Sequence, residues 1–379
     1  MTAADNRRIV IKKYDNSFIY FVLENDKLVN MYFEDNDAFH IGDCLVGHVE
    51  KFKKEAGGYF VNIAKGVQGY LPIDETKELR SGRNVAVQIK SEARGNKLYG
   101  LTGNIEFTGR YVVVYKKNKM SFSKKLSEGR KQELKTAMTG KVNDCGVLFR
   151  SECEVSDIDI ILEEYNRLSE RIRDIEDKEA SRALYSKIYS GDSILNKLIN
   201  DGVIDERVRV ITDDEDVLRF ISEKYEGIGI SLSDNDIITL YGLKNKVKEA
   251  LANKVYLKSG GYLYIQKTEA LHVIDVNSGS MRTGDDDSAL SVNMEAADEI
   301  FHQLSLRNLS GIIIIDFINM KSEASKTILT NRIKKLASED KNRTKYVDIT
   351  KLGLVELTRA KKLRDIYELK DIINNTILM

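Results

Sequence analysis

Two apolar runs in the second half of the chain each end in an acidic residue, and a helical pattern separates them. The runs are residues 271–277 (LHVIDVN) and 311–317 (GIIIIDF). Between them, over about 293–307, apolar residues recur at helical spacing at Met294, Ala297, Phe301 and Leu304. This order predicts a βαβ crossover in which the two strands are parallel neighbours.

The crossover brings two acids to the carboxyl ends of neighbouring strands, where α/β sheets bind ligands. These are Asp275 and Asp316, and Asn277 lies two positions beyond Asp275, so their side chains face the same way. A cation between two carboxylates lets both stay ionised, and all-oxygen donors favour Mg²⁺ or Mn²⁺ together with a substrate phosphate. The pattern indicates phosphodiester chemistry, although acids that cap strands or form surface ion pairs give the same pattern.

Composition narrows the choice of partner and compartment. There are 59 basic and 59 acidic residues, so a nucleic-acid role requires basic and acidic patches to be segregated. The three cysteines show no C-x-x-C spacing, which indicates a reducing compartment and predicts no structural zinc. The sequence shows neither a membrane span nor a signal peptide. We therefore expect a cytoplasmic protein.

The first half of the chain is mainly β-structure followed by helices. Residues 8–35 alternate apolar and polar positions and predict an antiparallel meander. Residues 40–105 contain short strands broken by glycines, which is typical of a compact barrel. Ser127 predicts the cap of a helix, and Ser156 with Asp159 forms a capping-box pattern before a long amphipathic helix.

Several segments together resemble the catalytic core of the ribonuclease E/G family. They are TEAL at 268–271, IDVNS at 274–278, NMEAADEI at 293–300, QL at 303–304, LRNL at 306–309, GIIIIDFI at 311–318 and GLVELTR at 353–359. The resemblance implies magnesium-dependent hydrolysis of single-stranded, often A/U-rich RNA to 5′-phosphate and 3′-hydroxyl ends, in rRNA processing or mRNA decay. It also implies that Asp275 and Asp316 hold the metal, and that Asn277 orients Asp275, the phosphate or the attacking water.

By the same resemblance, the fold is a multidomain α/β architecture. Residues 1–35 and 195–250 would form an RNase H-like subdomain without chemistry of its own. Residues 36–105 would form an inserted OB-fold RNA-binding barrel, and residues 106–194 a 5′-sensor subdomain. Residues 251–379 would form a DNase I-like α/β catalytic subdomain.

The barrel of this family stacks aromatic rings on unpaired bases, and Phe60 and Tyr70 match its aromatic positions. Arg94 and Lys97 would contact the RNA backbone. Without the resemblance, Phe60 is interpreted as a core residue, because aromatic residues in strands usually are. Tyr70 is ambiguous in the same way.

The 5′ sensor of the family binds a terminal monophosphate through an Arg–Thr pair, and Arg150 with Ser151 occupies that place. A serine hydroxyl can replace that of threonine, and Lys124 and Lys125 match a basic element of the family. Two glutamates follow directly, and they would weaken phosphate binding if they face the pocket.

Two further arginines, Arg282 and Arg359, are expected to border the active site. Arg282 opens a polar segment that otherwise reads as a solvated loop. The family's C-P-x-C zinc link is absent from the sequence, so we expect any homodimer to form without a zinc bridge. The apolar positions of 366–378 are the candidate surface for it, or they complete the core.

The leading hypothesis is therefore a magnesium- or manganese-dependent endoribonuclease that acts on single-stranded RNA. The alternative is an RNA-binding module with weak or no cleavage, and the intact set of Asp275, Asn277 and Asp316 argues against it. A deoxyribonuclease would use the same two acids and a metal. Aromatic residues on a barrel suit single strands of RNA and of DNA alike, so they do not distinguish the two substrates.

Overall fold

The structure, a computed structural model, describes ten segments of the chain. They are residues 7–36, 38–76, 78–93, 97–117, 119–140, 145–178, 181–225, 227–279, 286–361 and 363–378. The fold is mixed α/β and divides into two compact units, one of Met1–Asp35 with Ile204–Met379 and the other of Asn36–Val203. Within these segments, none of the helices has the length and apolar character needed to cross a membrane.

Strands and helices follow one another along both units. The strands are β1 (Arg7–Tyr14), β2 (Ser17–Glu24), β3 (Lys27–Asp35), β4 (Cys44–Lys53), β5 (Gly58–Ala64), β6 (Val67–Pro72), β7 (Asn84–Ser91), β8 (Tyr99–Thr102), β9 (Glu106–Thr108), β10 (Val112–Tyr115), β11 (Met120–Phe122), β12 (Gly146–Phe149), β13 (Lys187–Tyr189), β14 (Arg209–Thr212), β15 (Gly229–Leu232), β16 (Lys254–Tyr256), β17 (Tyr262–Lys267), β18 (Leu271–Asn277), β19 (Gly311–Asp316), β20 (Lys345–Ile349) and β21 (Val355–Arg359). The helices are α1 (Glu128–Ala137), α2 (Ile158–Lys178), α3 (Ile194–Asn200), α4 (Glu215–Lys224), α5 (Ile237–Leu240), α6 (Leu243–Leu251), α7 (Asp286–Leu306), α8 (Glu323–Glu339) and α9 (Lys370–Thr376).

In the unit of Asn36–Val203, strands β4, β5, β6, β8 and β7 close into a barrel, because β7 also pairs with β4. The compact barrel that the glycine-broken strands predict is thus confirmed, and its closed five-stranded form is consistent with an OB-fold. A second sheet has the order β11-β12-β10-β9, and apolar residues of α2 belong to its core.

Both predicted helices of this unit are present, but one cap differs from the prediction. Ser127 caps α1, where its hydroxyl accepts the backbone N–H of Arg130. Ser156 does not cap α2, because its hydroxyl donates instead to the backbone carbonyl of Glu152 at 2.6 Å. The carboxylate of Asp157 accepts the backbone N–H of Asp159 at 3.0 Å, so the capping role moves by one residue.

The other unit contains a sheet of order β15-β14-β1-β2-β3, in which β1, β2 and β3 form the predicted antiparallel meander. Helices α5, α6 and α9 contribute to its core. The apolar positions of 366–378, given above as a dimer surface or as part of the core, belong to this core, where Ile366, Leu369 and Ile373 are almost fully buried. The second alternative is therefore confirmed, because these side chains cover the unit's own sheet.

The same unit contains a second sheet, of order β16-β17-β18-β19-β21-β20. Its strands β18 and β19 are parallel neighbours joined through α7, so the predicted crossover is confirmed. Helix α7 begins at Asp286, earlier than the predicted start near residue 293. The carboxylate of Asp286 accepts the backbone N–H groups of Lys321 and Ser322, and an acid is favourable in a first helical turn.

Alternation along β18 and β19 separates the two faces of this sheet. Ile274, Ile313 and Ile315 are fully buried and pack with α7 and α8 in one core. The opposite face carries Asp275 and Asp316, which are both exposed. Burial of the apolar face therefore fixes the direction in which the acids point.

Arg359, at the end of β21, is 4% exposed and holds the start of β19 in place. Its Nε donates to Asp340 at 2.8 Å and its Nη1 donates to the carbonyl of Leu309 at 2.7 Å. Burial alone would raise the pKa of Asp340, but the hydrogen bonds from Arg359 and Thr344 outweigh it and lower this pKa. The pair therefore stabilises the turn that leads into the strand of Asp316.

We predict that Arg359→Met lowers the free energy of unfolding by about 3 kcal/mol, because it leaves the carboxylate of Asp340, which is only 14% exposed, without its partner. Urea denaturation measures the change. Arg332→Met is the matched control, since Arg332 forms a more exposed pair with Asp298 and should cost less than about 1 kcal/mol. Equal losses in both variants would contradict this assignment.

The difference in the free energy of unfolding between the wild type and Arg359→Met should depend on pH in a known direction. A carboxyl whose pKa is lower in the folded state stabilises the fold above its unfolded pKa, and this contribution is lost as pH falls through the folded pKa. The gap between wild type and Arg359→Met should therefore narrow on acidification.

Candidate functional site

Asp275 and Asp316 are register partners on the adjacent parallel strands β18 and β19. Neighbouring strands lie about 4.8 Å apart, so the two carboxylates project side by side from the open face of the sheet. Both side chains are exposed to solvent. This is the juxtaposition expected from the two acid-terminated strands.

Asn277 completes the group from the same strand. Its Nδ2 donates to Oδ2 of Asp275 at 2.8 Å. The hydrogen bond restricts rotation of the Asp275 carboxylate, and the amide oxygen of Asn277 stays available as an acceptor or ligand. Asn277 is thus suited to orient the acid.

The donors present fit a hard divalent cation. Two carboxylates and an amide oxygen are the chemistry that Mg²⁺ and Mn²⁺ prefer, and Mg²⁺ often takes only one or two carboxylates plus phosphate and water. Over the segments that the structure describes, no group of three or more His, Cys, Asp or Glu side chains forms a metal cage. A two-carboxylate site that is completed by substrate agrees with both observations.

A second pair of acids in this unit has a different environment. Asp213 and Asp214 follow β14, and they pair with Lys12 at 2.5 Å and Lys13 at 2.6 Å. Burial would raise the pKa of Asp214, but the hydrogen bonds from Lys13 and Val217 lower it. These carboxylates are neutralised by the protein's own lysines, so a metal is not needed to hold them together.

On the barrel, Phe60 and Tyr70 lie on the outer surface and do not enter the core. Their flanking residues point inward and are buried, and the two rings contact edge to face at 6.0 Å. The ammonium group of Lys53 lies 5.0 Å from the centre of the Phe60 ring. At Gly58, a Cβ atom would approach the Tyr70 ring to 2.8 Å, so glycine makes room for this ring.

The remaining basic residues that we expected at the site differ in their exposure and in their position relative to the acids. Lys97 is exposed, whereas Arg94 and Arg282 fall outside the described residues. Arg359 does not border the acids, because it pairs with Gly311 at the opposite end of β19 from Asp316 and its side chain is buried.

The guanidinium group of Arg150 is already engaged. Its Nη1 donates to the carbonyl of Gly109 at 2.6 Å and its Nη2 to Asp201 at 2.8 Å, while Glu152 lies 3.8 Å from Nε. The Ser151 hydroxyl contacts the carboxylate of Glu152. A phosphate that binds here must compete with two carboxylates of the protein.

Lys124 and Lys125 come close to this arginine through the parallel strands β11 and β12. The backbone N–H of Ser123 donates to the carbonyl of Phe149 at 2.8 Å, so both segments leave the sheet at the same edge. Both lysine side chains are exposed. The backbone thus places the segment of Lys124 and Lys125 beside that of Arg150 and Ser151.

One feature of the open sheet face could not be read from the acids alone. Strand register places Lys254 beside Tyr264 and Tyr264 beside Asp275, and in the next row it places Tyr256 beside Tyr262. We call Lys254, Tyr256, Tyr262 and Tyr264 the tyrosine patch. The alternating Tyr-Leu-Tyr of β17 was the available signal, but only the strand pairing shows that the rings lie next to the acids.

Comparison with known proteins gives one family. The family model described as Ribonuclease E/G family matches residues 106–362. Ribonuclease E of Synechocystis sp. is 31% identical over 359 residues, which covers 87% of this chain and 53% of that protein. The Ribonuclease E/G-like protein of Pyropia yezoensis is 30% identical over 364 residues, covering 88% of this chain and 72% of that protein. Ribonuclease G of Escherichia coli is 30% identical over 315 residues, which cover 78% of this chain and 63% of that protein.

The lengths of these relatives differ from that of this chain. The chain spans about half the length of the two cyanobacterial Ribonuclease E proteins, 53% and 52%. The family match includes both acids of the open sheet face and the Arg150 region.

We predict that Asp316→Asn abolishes Mn²⁺ binding and that Asn277→Ala weakens it by about 10- to 100-fold, as loss of a residue that orients a ligand does. Isothermal titration calorimetry of the whole chain measures both. Asp298→Asn is the control, because this exposed acid pairs with Arg332 away from the strand ends. Wild-type Mn²⁺ affinity in both site variants would exclude the site.

Proposed function

The chain belongs to the ribonuclease E/G family, and we propose that it is a magnesium-dependent endoribonuclease that hydrolyses single-stranded RNA. Its products would carry 5′-phosphate and 3′-hydroxyl ends, and A/U-rich segments are the expected targets. The observation that supports this proposal most is the register pairing of Asp275 with Asp316 on one open face.

Each residue of the site has a role in this proposal. Asp275 and Asp316 would hold the cation, and Asn277 keeps the Asp275 carboxylate turned toward it through the 2.8 Å hydrogen bond. When bound there, Mg²⁺ would stabilise the charge that develops on the phosphoryl oxygens and would make a bound water more acidic. The exposure of the face admits an extended strand.

The barrel would bind the same substrate without reading its sequence. Phe60 and Tyr70 offer ring faces and edges to unpaired bases, while Lys51 and Lys53 beside Phe60 attract the phosphates. Lys97 is exposed as well and would contact the RNA backbone. Such a surface favours single strands, because the bases of a duplex are already stacked.

The biological setting follows from the substrate and from the family. We propose a cytoplasmic role in rRNA processing or mRNA decay.

The decisive experiment is cleavage of a labelled A/U-rich RNA with Mg²⁺ or with EDTA. We expect internal cuts only with Mg²⁺, and loss of at least about 100-fold in rate for Asp275→Asn, because it removes one of two carboxylate ligands. RNA affinity should be retained, since the barrel is unchanged. Asp298→Asn should cleave at the wild-type rate.

Other outcomes assign other functions. RNA binding without cleavage by the wild-type chain would support an RNA-binding module instead. Cleavage of single-stranded DNA at the same rate as RNA would show that the protein is a nuclease that acts on both RNA and DNA. Wild-type cleavage by Asp275→Asn would exclude the proposed site.

The pairing of Arg150 leads to a prediction about RNA ends. We expect RNAs with 5′-monophosphate and 5′-hydroxyl ends to be cleaved at similar rates, because Asp201 and Glu152 compete with phosphate for the guanidinium group. The double variant Glu152→Gln, Asp201→Asn should gain a preference of about tenfold for the monophosphate, equivalent to one charge-assisted hydrogen bond of roughly 1.5 kcal/mol.

Glu128→Gln is the matched control for this gain, because Glu128 is an exposed acid that pairs with Lys131 on α1. A strong monophosphate preference in the wild type, or none in the double variant, would contradict this account of Arg150. Competition between the two RNAs in one reaction gives the ratio directly.

A further inference from the structure

The tyrosine patch shares its sheet face with the acids. In the register of the sheet, Lys254, Tyr264, Asp275 and Asp316 form one row across β16, β17, β18 and β19. Side chains that pair directly across strands point to the same face. The row spans about 14 Å, or three strand spacings. Aromatic, basic and metal-binding groups therefore follow one another along a line across the strands.

The rings of the patch are accessible. Tyr256 is 72% exposed and Tyr264 is 39% exposed. Single exposed aromatic residues are common, but adjacent aromatic rings on one exposed sheet face form a patch of the kind that marks a binding surface. Because Tyr264 is the direct neighbour of Asp275, a base stacked on it would lie beside the reacting phosphate.

Lys254 is held between two rings of the patch. Its ammonium group lies 3.8 Å from the centre of the Tyr262 ring and 4.8 Å from that of Tyr256, and the two rings meet edge to face at 6.4 Å. These contacts keep a positive charge on an exposed strand edge without an acidic partner among the contacts described for it. A positive charge between aromatic rings suits a chain that alternates bases with phosphates.

We propose that the tyrosine patch is a binding subsite for the nucleotides next to the scissile phosphate. Tyr264 stacks on the base adjacent to the cleaved bond, Tyr256 stacks on a base further along, and Lys254 contacts the intervening phosphate. Occupation of the patch would align the RNA across the strands, with the phosphate at Asp275 and Asp316. This inference rests on the proposed function for the identity of the nucleic acid.

A fluorescence experiment tests stacking without requiring cleavage. The chain contains no tryptophan, so Tyr264→Trp introduces a single indole that a stacked base would quench. With EDTA present, a short unstructured RNA should quench its emission, and the same RNA with abasic positions should not. Tyr346→Trp is the matched control, because Tyr346 pairs with Leu357 on the helix-covered face of this sheet.

Kinetics supply the second arm. Tyr264→Leu should raise KM about tenfold or more, since stacking of one base is lost, while Tyr264→Phe, which keeps the ring, should raise KM less. Tyr256→Leu should show a smaller increase of the same kind. Failure of the wild type to cleave would refute the proposed function, whereas the quenching in EDTA would still decide the subsite.

Three results would overturn the subsite. The first is equal quenching of Tyr264→Trp by intact and abasic RNA, and the second is an unchanged KM for both leucine variants. The third is a shift of emission with protein concentration in the absence of RNA, which would assign the face to contact between two copies of the chain.

Discussion

Two like charges held side by side on adjacent parallel strands are the constraint on which the functional face depends. Asp275 and Asp316 are register partners, and carboxylates so placed repel each other unless a cation lies between them. The protein tolerates the arrangement because the opposite sides of the same strands bury Ile274, Ile313 and Ile315 against α7 and α8. Rotation of either strand would expose this apolar surface.

The contrast with Asp213 and Asp214 shows what distinguishes a structural pair of acids from one suited to a metal. Lys12 and Lys13 neutralise the first pair directly. Asp275 instead has Tyr264 as its register neighbour on β17 and Asn277, on its own strand, as its hydrogen-bond partner. The same unit thus contains acids at two sheet ends, and we propose that the pair of Asp275 and Asp316 is the one that binds a cation and a phosphate. The overall charge of zero conceals this segregation.

The sequence predicts features that depend on local periodicity. The crossover of β18 and β19 follows from two apolar runs with a helical pattern between them. The meander of β1 to β3 follows from alternation, and the compact barrel follows from glycine spacing. Features that depend on partners distant in sequence are not predictable in this way. Arg150 donates a hydrogen bond to Asp201, which lies 51 residues further along the chain. The buried side chain of Arg359 depends on its hydrogen bonds to Asp340 and Leu309. The tyrosine patch depends on the pairing of β16 with β17.

The most direct test of the account is a crystal structure of the chain soaked with Mn²⁺, read from anomalous scattering. We predict one peak on the open face, about 2.2 Å from carboxylate oxygens of both Asp275 and Asp316. The absence of a peak there, or a peak that contacts only one of the two carboxylates, would contradict the claim that this pair is the metal site of the enzyme.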